Sequence, residues 1–157
     1  MSSDLIVKNK KAYFDYEILE EFEAGIILQG SEVKSLRLGQ CNITDAYADI
    51  ITPANNEEEV WLKNLHISEY KNAGKYNHKP TRERKLLLHK REIKKLIGKI
   101  KQKGFSLIPL EIYFNPKGLV KIKVGLGRGK SKYDKRETIK EKDWQREKQR
   151  NFKNKQL

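Results

Sequence analysis

The fold class is decided by residues 119–126, which read Leu-Val-Lys-Ile-Lys-Val-Gly-Leu. Successive side chains of an extended chain point to opposite faces, so the aliphatic residues from Val120 to Leu126 share one face. Lys121 and Lys123 share the other face. This pattern predicts a strand with its apolar side in a core and its lysines in water, as in an antiparallel sheet.

The same alternation recurs on either side of this stretch. Residues 106–114 form the preceding strand, and Asn115-Pro116-Lys117-Gly118 is typical of the turn between two strands. Residues 1–12 are expected to be loose at the start, and residues 68–83 form a long polar connection. Further strands are predicted at residues 16–24, 43–51 and 60–67 and at the leucines 86–88.

Two short helices complete the predicted body. Residues 32–38 follow Ser31 as a candidate cap, and residues 93–100 carry apolar side chains at the helical spacing i, i+3, i+4 and i+7. The fold class is therefore predicted to be mainly β with short helices: an OB-fold-like antiparallel β-barrel plus a basic C-terminal tail. A two-layer α+β sheet gives a similar pattern and remains the alternative.

The composition favours a polyanionic partner. The 157 residues include 34 Lys and Arg against 21 Asp and Glu, a formal net charge of +13. RNA, DNA or an anionic membrane would suit this charge. No apolar run approaches the roughly 20 residues needed to span a bilayer, which argues against the membrane. The N-terminus lacks the features of a secretory signal, and the single Cys41 fits a reducing compartment, so a cytoplasmic location is expected.

The charge is unevenly distributed along the chain. Residues 128–157 contain 12 Lys and Arg against 5 Asp and Glu, whereas the first 127 residues contain 22 against 16. This step predicts an RNA-binding barrel over residues 1–127 and a basic tail over residues 128–157. The tail is rich in helix formers with little to bury, so we expect it to be disordered when free and helical against a partner. A solvated helix docked on the body is the alternative.

The sequence gives little support for catalysis. His66, His78 and His89 lack metal-ligand spacing, and Cys41 lacks the signature of a nucleophile. The glycine-rich residues 125–130 lack the spacing of a P-loop or a dinucleotide fingerprint. A protein that is not an enzyme, with no cofactor and no metal, is expected.

The basic cluster Arg82, Arg84 and Lys85 is the better candidate for binding RNA. Arginine pairs bidentately with phosphate and stacks on bases. Glu32 would accept a hydrogen bond from a base amino group or a ribose 2′-hydroxyl in such a surface. In the first turn of a helix, however, it is equally a residue that stabilises the helix dipole, and spacing alone favours that second role.

Five blocks of sequence, in order, resemble the bacterial SsrA-binding protein family (small protein B). A single block would be weak, but their order over residues 7–155 makes the resemblance specific. The blocks are residues 22–25 (FEAG), 30–37 (GSEVKSLR), 42–47 (NITDAY), 80–89 (PTRERKLLLH) and 134–136 (DKR).

This resemblance implies an oligonucleotide-binding barrel without enzymatic activity. It implies binding of one copy to the tRNA-like domain of transfer-messenger RNA (tmRNA), and delivery of that RNA to stalled ribosomes for trans-translation. The tail would enter the empty messenger channel beside the small-subunit decoding site and fold there as a helix. Neither DNA nor a membrane is an expected partner.

The resemblance also assigns site residues. Glu32, Leu87 and His89 match RNA-binding positions of the family, and some members carry Asn where this chain has His89. Expected neighbours on the same surface are Lys34, Arg37, Asn42, Arg82, Arg84 and Lys85. The ribosome-binding tail residues are expected to be Lys130, Asp134, Lys135, Arg136, Trp144 and Phe152. Relatives often have two adjacent apolar residues where this chain has Asn151-Phe152, so the apolar anchor of the tail would rest on Phe152 alone.

Two rival functions remain. A general oligonucleotide-binding or ribosomal accessory protein with the same barrel would stack bases on exposed aromatics such as Tyr47, Trp61 and Tyr113. A nucleic-acid enzyme would need a metal site or an acid/base pair, which the sequence does not reveal.

Overall fold

The computed structural model describes residues 3–55, 57–102 and 104–155. The described strands are β1 (Asp4–Lys8), β2 (Tyr16–Ile26), β3 (Cys41–Asn42), β4 (Tyr47–Ile51), β5 (Glu59–Lys63), β6 (His66–Ile67), β7 (Arg84–Leu87), β8 (Phe105–Phe114) and β9 (Val120–Gly129). The α-helices are α1 (Lys10–Asp15), α2 (Gly30–Arg37), α3 (Lys90–Ile100) and α4 (Lys132–Lys155), and a 3-10 helix spans Lys71–Tyr76. No helix in these ranges is both long and apolar enough to cross a membrane.

Seven of the strands form one antiparallel sheet in the order β1-β8-β9-β2-β7-β5-β4. β4 lies against β8, so the sheet curls towards a barrel, but no ladder joins the edge strands β1 and β4 among the described residues. β3 and β6 form a separate two-stranded pair. The predicted class, mainly β with a partly open OB-like barrel, is confirmed.

The hairpin of β8 and β9 forms as the alternating stretch predicts. Ile122, Val124 and Leu126 are buried, whereas Lys121 and Lys123 are half-buried on the outer side. The turn is closed by Asn115, whose carbonyl accepts from Gly118 N at 2.9 Å. The backbone of Gly118 has φ +80°, a conformation that favours glycine.

β9 continues three residues beyond the predicted end at Leu126. Gly127 pairs with Ile18 on one side and with Ser106 on the other, so the backbone is still a central strand. The alternation stops there because side chains of the neighbouring strands β8 and β2 fill the space that a side chain would need. A Cβ on Gly125 would lie 2.7 Å from Leu110 Cδ1, and one on Gly127 would lie 2.8 Å from Ile108 Cδ1.

From Asp4 onwards the N-terminal segment is ordered, which corrects the expectation of a loose start for the described part of residues 1–12. β1 pairs with β8. Buried Asn9 then starts α1: its side chain accepts from Ala12 N at 3.1 Å and donates to Pro109 O at 3.0 Å. Because both ends of this amide are satisfied inside the protein, α1 is fixed against the sheet.

A turn takes the place of the start of the predicted strand 43–51, which begins only at Tyr47, and a second turn divides the predicted strand 60–67. Ala46 N donates to Ile43 O at 3.0 Å between β3 and β4, and Asn64 takes a positive φ of 59° between β5 and β6. α2 and α3 then cover the core, into which they insert Leu36 and Leu96.

Substituting Gly125 with Ala should destabilise the protein by about 1–3 kcal/mol, because the added methyl meets fully buried Leu110. Gly129→Ala is the matched control, since nothing lies within 4 Å of a Cβ at that residue. Thermal unfolding of the two variants measures the difference. Equal melting temperatures would show that the side chains of β8 do not restrict this strand.

Candidate nucleic-acid interface

A buried ion pair lies beneath the predicted RNA-binding residues. Glu32 and Arg84 both have side chains that are 0% exposed. Arg84 Nε donates to Glu32 Oε2, and its two terminal nitrogens donate to Leu65 O at 2.6 Å and Pro80 O at 3.1 Å. The other carboxylate oxygen accepts from Gln29 N at 2.8 Å and from Arg82 Nη2. This network connects α2, β7 and the segments before β6 and β7.

The network follows from strand alternation in β7. Arg84 and Leu86 point into the barrel, so a guanidinium enters the core and needs a carboxylate partner. Burial raises the pKa of Glu32, but hydrogen bonds from Arg82, the Gln29 backbone and Arg84 outweigh it, and the pKa lies below 4.5. Burial lowers the pKa of Arg84, although Glu32 opposes that shift. Both groups are therefore charged at neutral pH.

This placement differs from the surface position that the sequence suggested for these two residues. Neither Glu32 nor Arg84 has an exposed atom with which to touch RNA. Glu32 sits in the first turn of α2 and accepts from the backbone of Gln29, so its position matches the helix-stabilising alternative. Both residues organise the surface above them.

Arg82 lies between the buried Glu32–Arg84 pair and the protein surface. Its side chain is 28% exposed, and Nη2 donates to both Glu32 and Ile27 O. The guanidinium is thus held beside the ends of β2 and β7, while its buried Nε has no hydrogen-bond partner in the described ranges.

An outward-facing patch lies beside Arg82 across three strands. Gly25 pairs with Leu87 on one side and with Lys121 on the other. Leu87 and the neighbouring Ile27 are 52% and 47% exposed. We call Arg82, Ile27, Leu87 and Lys121 the outer patch. It combines apolar area with two cations, as suits a sugar-phosphate chain carrying exposed bases.

Because Gly25 has no side chain, the surface at the centre of the outer patch lies close to the strand backbone. A Cβ there would lie 3.3 Å from Leu87 Cβ and 3.7 Å from Lys121 Nζ. The neighbouring side chains therefore cover the strand closely. Lys85 also faces outwards but lies 3.6 Å from Glu59 Oε1, so its charge is partly compensated.

The remaining predicted RNA-binding residues are exposed but divided among different places. His89 is the N-cap of α3, two residues beyond Leu87, and its backbone N donates to Glu92 at 3.1 Å. Lys34 lies over the Tyr70 ring, 5.4 Å from its centre. Asn42 borders a polar groove with Asn64, His66 and Thr81, whereas Arg37 lines another groove beside Gly39 and Asn115. Their contact with RNA stays a prediction.

His78 anchors the long connection, a role that its sequence did not reveal. It is buried, with Nδ1 2.8 Å from Ser31 Oγ and Nε2 2.9 Å from Ile67 O. Ser31 therefore binds this ring and does not cap α2, which begins after Gln29. Only the tertiary structure brings residues 31 and 78 together.

The tail forms the helix α4, and its motif residues have different surroundings. Asp134 Oδ2 accepts from Ser131 Oγ at 2.9 Å, while Asp134 N donates to Ser131 Oγ at 3.2 Å, a reciprocal cap at the start of the helix. Lys135 Nζ lies 3.2 Å from Asp15 Oδ1 and above the Phe14 ring. Arg136 is exposed. The block therefore separates into a cap, a contact with α1 and an exposed cation.

Lys130 fixes the start of the tail. Its Nζ donates to Tyr13 O at 3.2 Å and to Thr138 Oγ1 at 3.1 Å, and its backbone N donates to Asp15 O. The first turns of α4 are thus docked on α1, as in the alternative of a docked helix. Trp144 and Phe152 are 61% and 64% exposed and border one shallow groove. Disorder of the free tail stays a prediction.

Comparison with known proteins decides the family. The family model described as SmpB protein matches residues 6–154. The chain belongs to the SmpB family. The SsrA-binding protein of Wolbachia pipientis subsp. Culex pipiens (strain wPip) is 58% identical over 151 residues, covering 96% of this chain and 98% of the relative. That of Sulfurihydrogenibium sp. (strain YO3AOP1) is 52% identical over 155 residues, covering 99% and 98%.

A solved chain gives the same SmpB-family assignment. It comes from the structure described as "tmRNA-SmpB: a journey to the center of the bacterial ribosome". It is 46% identical, with a TM-score of 0.64, and the match covers 85% of the present chain and 93% of the solved one. The predicted family is thus confirmed.

The surroundings of Cys41 do not favour a nucleophile. Burial raises the pKa of the Cys41 thiol to about 11, so it is protonated at neutral pH. Across the described ranges, no group of three or more His, Cys, Asp and Glu side chains is placed to hold a metal ion.

Glu32→Ala should destabilise the SmpB-family fold by roughly 3–5 kcal/mol, because it leaves buried Arg84 without its carboxylate. Asp49→Ala is the control: it breaks the exposed Lys63–Asp49 pair and should cost no more than about 1 kcal/mol. Denaturant unfolding measures both. Similar small losses would show that the buried pair does not hold α2 on β7.

The same pair predicts an acid dependence. Since the pKa of folded Glu32 lies below 4.5, its contribution to stability is complete above about pH 4.5 and is lost as the pH falls through the folded value. Glu32→Gln removes this titration. The stability difference between wild type and Glu32→Gln should therefore shrink below pH 4.5, and a constant difference would contradict the assignment.

Proposed function

We propose that this protein binds the tRNA-like domain of tmRNA and delivers it to stalled ribosomes, where trans-translation tags the incomplete nascent chain. One observation carries the proposal: nearly the whole chain matches proteins named SsrA-binding protein at more than half identity. The solved relative from a tmRNA-SmpB structure on the bacterial ribosome supports the same pair of partners. The protein acts by binding, as a monomer on one RNA in the cytoplasm.

The outer patch selects the RNA in this proposal. Arg82 and Lys121 contact phosphates, while Leu87 and Ile27 cover the apolar face of an unstacked base or a ribose. Glu32 and Arg84 hold the strand and the α2 helix beneath them and thereby position these side chains. Discrimination therefore depends on a preformed surface, and the phosphate contacts supply salt-dependent affinity.

In this proposal the tail binds the ribosome and detects whether a message is present. α4 carries many exposed cations and the exposed apolar side chains of Trp144 and Phe152. Arg136 is presented to rRNA phosphate, whereas Asp134 and Lys135 set where the helix begins and how it leaves α1. The helix lies in the messenger channel only when no message occupies it.

The general binder is the weaker candidate, because the three aromatics proposed for it do not form one platform. Tyr113 is 9% exposed and donates to Glu23. Trp61 is half-buried, and its Nε1 donates to Glu59 Oε2 at 2.9 Å. Tyr47 alone is well exposed. Stacking of successive bases needs several exposed rings in a row.

The proposal is tested by competition between RNAs. The full-length protein is titrated with a labelled tRNA-like fragment of tmRNA in the presence of excess unstructured RNA of equal length at about 0.15 M salt. Strong preference for the fragment supports the proposal. Equal competition by the unstructured RNA would favour the general binder.

Leu87→Ala should weaken binding of the tRNA-like fragment by about tenfold or more without lowering stability, because the side chain is 52% exposed. Leu5→Ala is the matched control, since Leu5 is 58% exposed on the edge strand β1, which three strands separate from β7. Fluorescence anisotropy measures affinity, and thermal melting checks the fold. Equal affinities for the two variants would exclude Leu87 from the interface.

Truncation after Lys130 should leave RNA binding within severalfold of wild type but abolish tagging, because the barrel keeps the Lys130 contact with Tyr13 and loses α4. A translation reaction on a message without a stop codon measures tagging. The outer patch is intact in this variant, so loss of RNA binding would show that the tail also contacts tmRNA. Normal tagging would contradict the role of the tail.

A further inference from the structure

α3 has two faces of opposite chemistry. Leu96 is fully buried in the main core, and Ile93 and Ile100 pack against that core. The cations on the other side of the helix are exposed and fall within one arc at 100° per residue. They are Lys90, Arg91, Lys94, Lys95 and Lys99, followed by Lys101 just after the helix.

Most of these charges are uncompensated. Lys95 pairs with Glu20 on β2. No ion pair joins the other five cations to any carboxylate of the described part of the chain. Glu92, the one acidic residue of the helix, faces its N-terminus and accepts from His89 N. The exposed side of α3 is thus a concentrated positive surface.

Gly98 lies at the centre of this arc. It is exposed, its φ is not positive, and nothing lies within 4 Å of a Cβ added there. Neither a turn nor close packing inside the protein therefore requires glycine, which is a poor residue for a helix interior. The missing side chain instead lets an external group reach the helix backbone, with Lys94 one turn before it and Lys101 just under one turn after it.

We propose that the cationic face of α3 is a second RNA-binding surface, which seats a phosphodiester backbone over Gly98 between Lys94, Lys99 and Lys101. The partner class rests on the proposed function, and α3 begins at His89, two residues beyond Leu87 of the outer patch. A membrane is a poor occupant, because an interfacial helix must insert its apolar face and that of α3 is buried in the core. The backbone belongs either to tmRNA or to ribosomal RNA.

The charge variant Lys94→Gln/Lys99→Gln tests the surface in the full-length protein. The control Lys10→Gln/Lys117→Gln removes the same charge from exposed lysines that are equally without an ion pair in the described ranges. Affinity is measured against salt in two arms, the tRNA-like fragment and message-free ribosomes. In one arm the α3 variant should bind several-fold more weakly, with a salt slope shallower by about 1–2, and that arm identifies the RNA.

The variant Gly98→Gln tests the same surface without removing a charge. It should raise the melting temperature by roughly 2–4 °C, because glutamine is the better helix former, yet weaken binding several-fold in the same arm by blocking the backbone. Variants that match the control in both arms would overturn the proposal. A wild type that does not prefer the tRNA-like fragment would instead refute the proposed function, while the ribosome arm would still test α3.

Discussion

The architecture of the candidate interface depends on the burial of one ion pair. Neither Glu32 nor Arg84 can enter the core alone, because an isolated charge there would lose its hydration without compensation. Together they connect α2 to β7, and Arg84 adds the carbonyls of Leu65 and Pro80. Since side chains alternate along β7, fixing Arg84 inwards fixes Lys85 and Leu87 outwards. The interior pair thereby determines which residues meet a ligand.

Much of the fold could be predicted from the sequence because it depends on local periodicity. The alternation in residues 119–126 and the helical spacing in residues 93–100 both appear as predicted, in β9 and α3. The predictions of strand bounds failed where contacts with neighbouring elements override the local sequence pattern. The alternation ends at Gly125 and Gly127 because side chains of β8 and β2 fill the space beside them, and Ile18 on β2 is remote in sequence.

The candidate site was harder to predict, and Arg84 shows why. In residues 84–87, Arg84 and Leu86 share one face while Lys85 and Leu87 share the other. The alternation with a period of two was therefore visible in the sequence. It was not used, because the basic residues were all assigned to the surface and the leucines to the core. The partner of Arg84 was not accessible to such reasoning, since Glu32 lies 52 residues away and pairs only through the fold.

The tail motif shows the same separation of neighbours. Asp134, Lys135 and Arg136 are adjacent, but a helix turns by about 100° per residue, so the three side chains meet different surroundings. The first caps α4, the second meets Asp15 and the third is exposed. A motif required as a block therefore need not contact its partner as a block.

The fold distributes the net charge of +13 unevenly over the protein surface. The acidic side chains of β2 face cations of neighbouring elements, in the pairs Glu17–Arg128, Glu20–Lys95 and Glu21–Lys123. The charge of β2 is therefore largely balanced, whereas Lys101 and the cations of α3 other than Lys95 have no ion pair within the described ranges. A phosphate chain is attracted most strongly where cations lack partners, so it is attracted more strongly to α3 than to residues 17–21 of β2. The RNA contacts of the proposed function are therefore expected at the outer patch and at α3, and not over the acidic stretch 17–21 of β2.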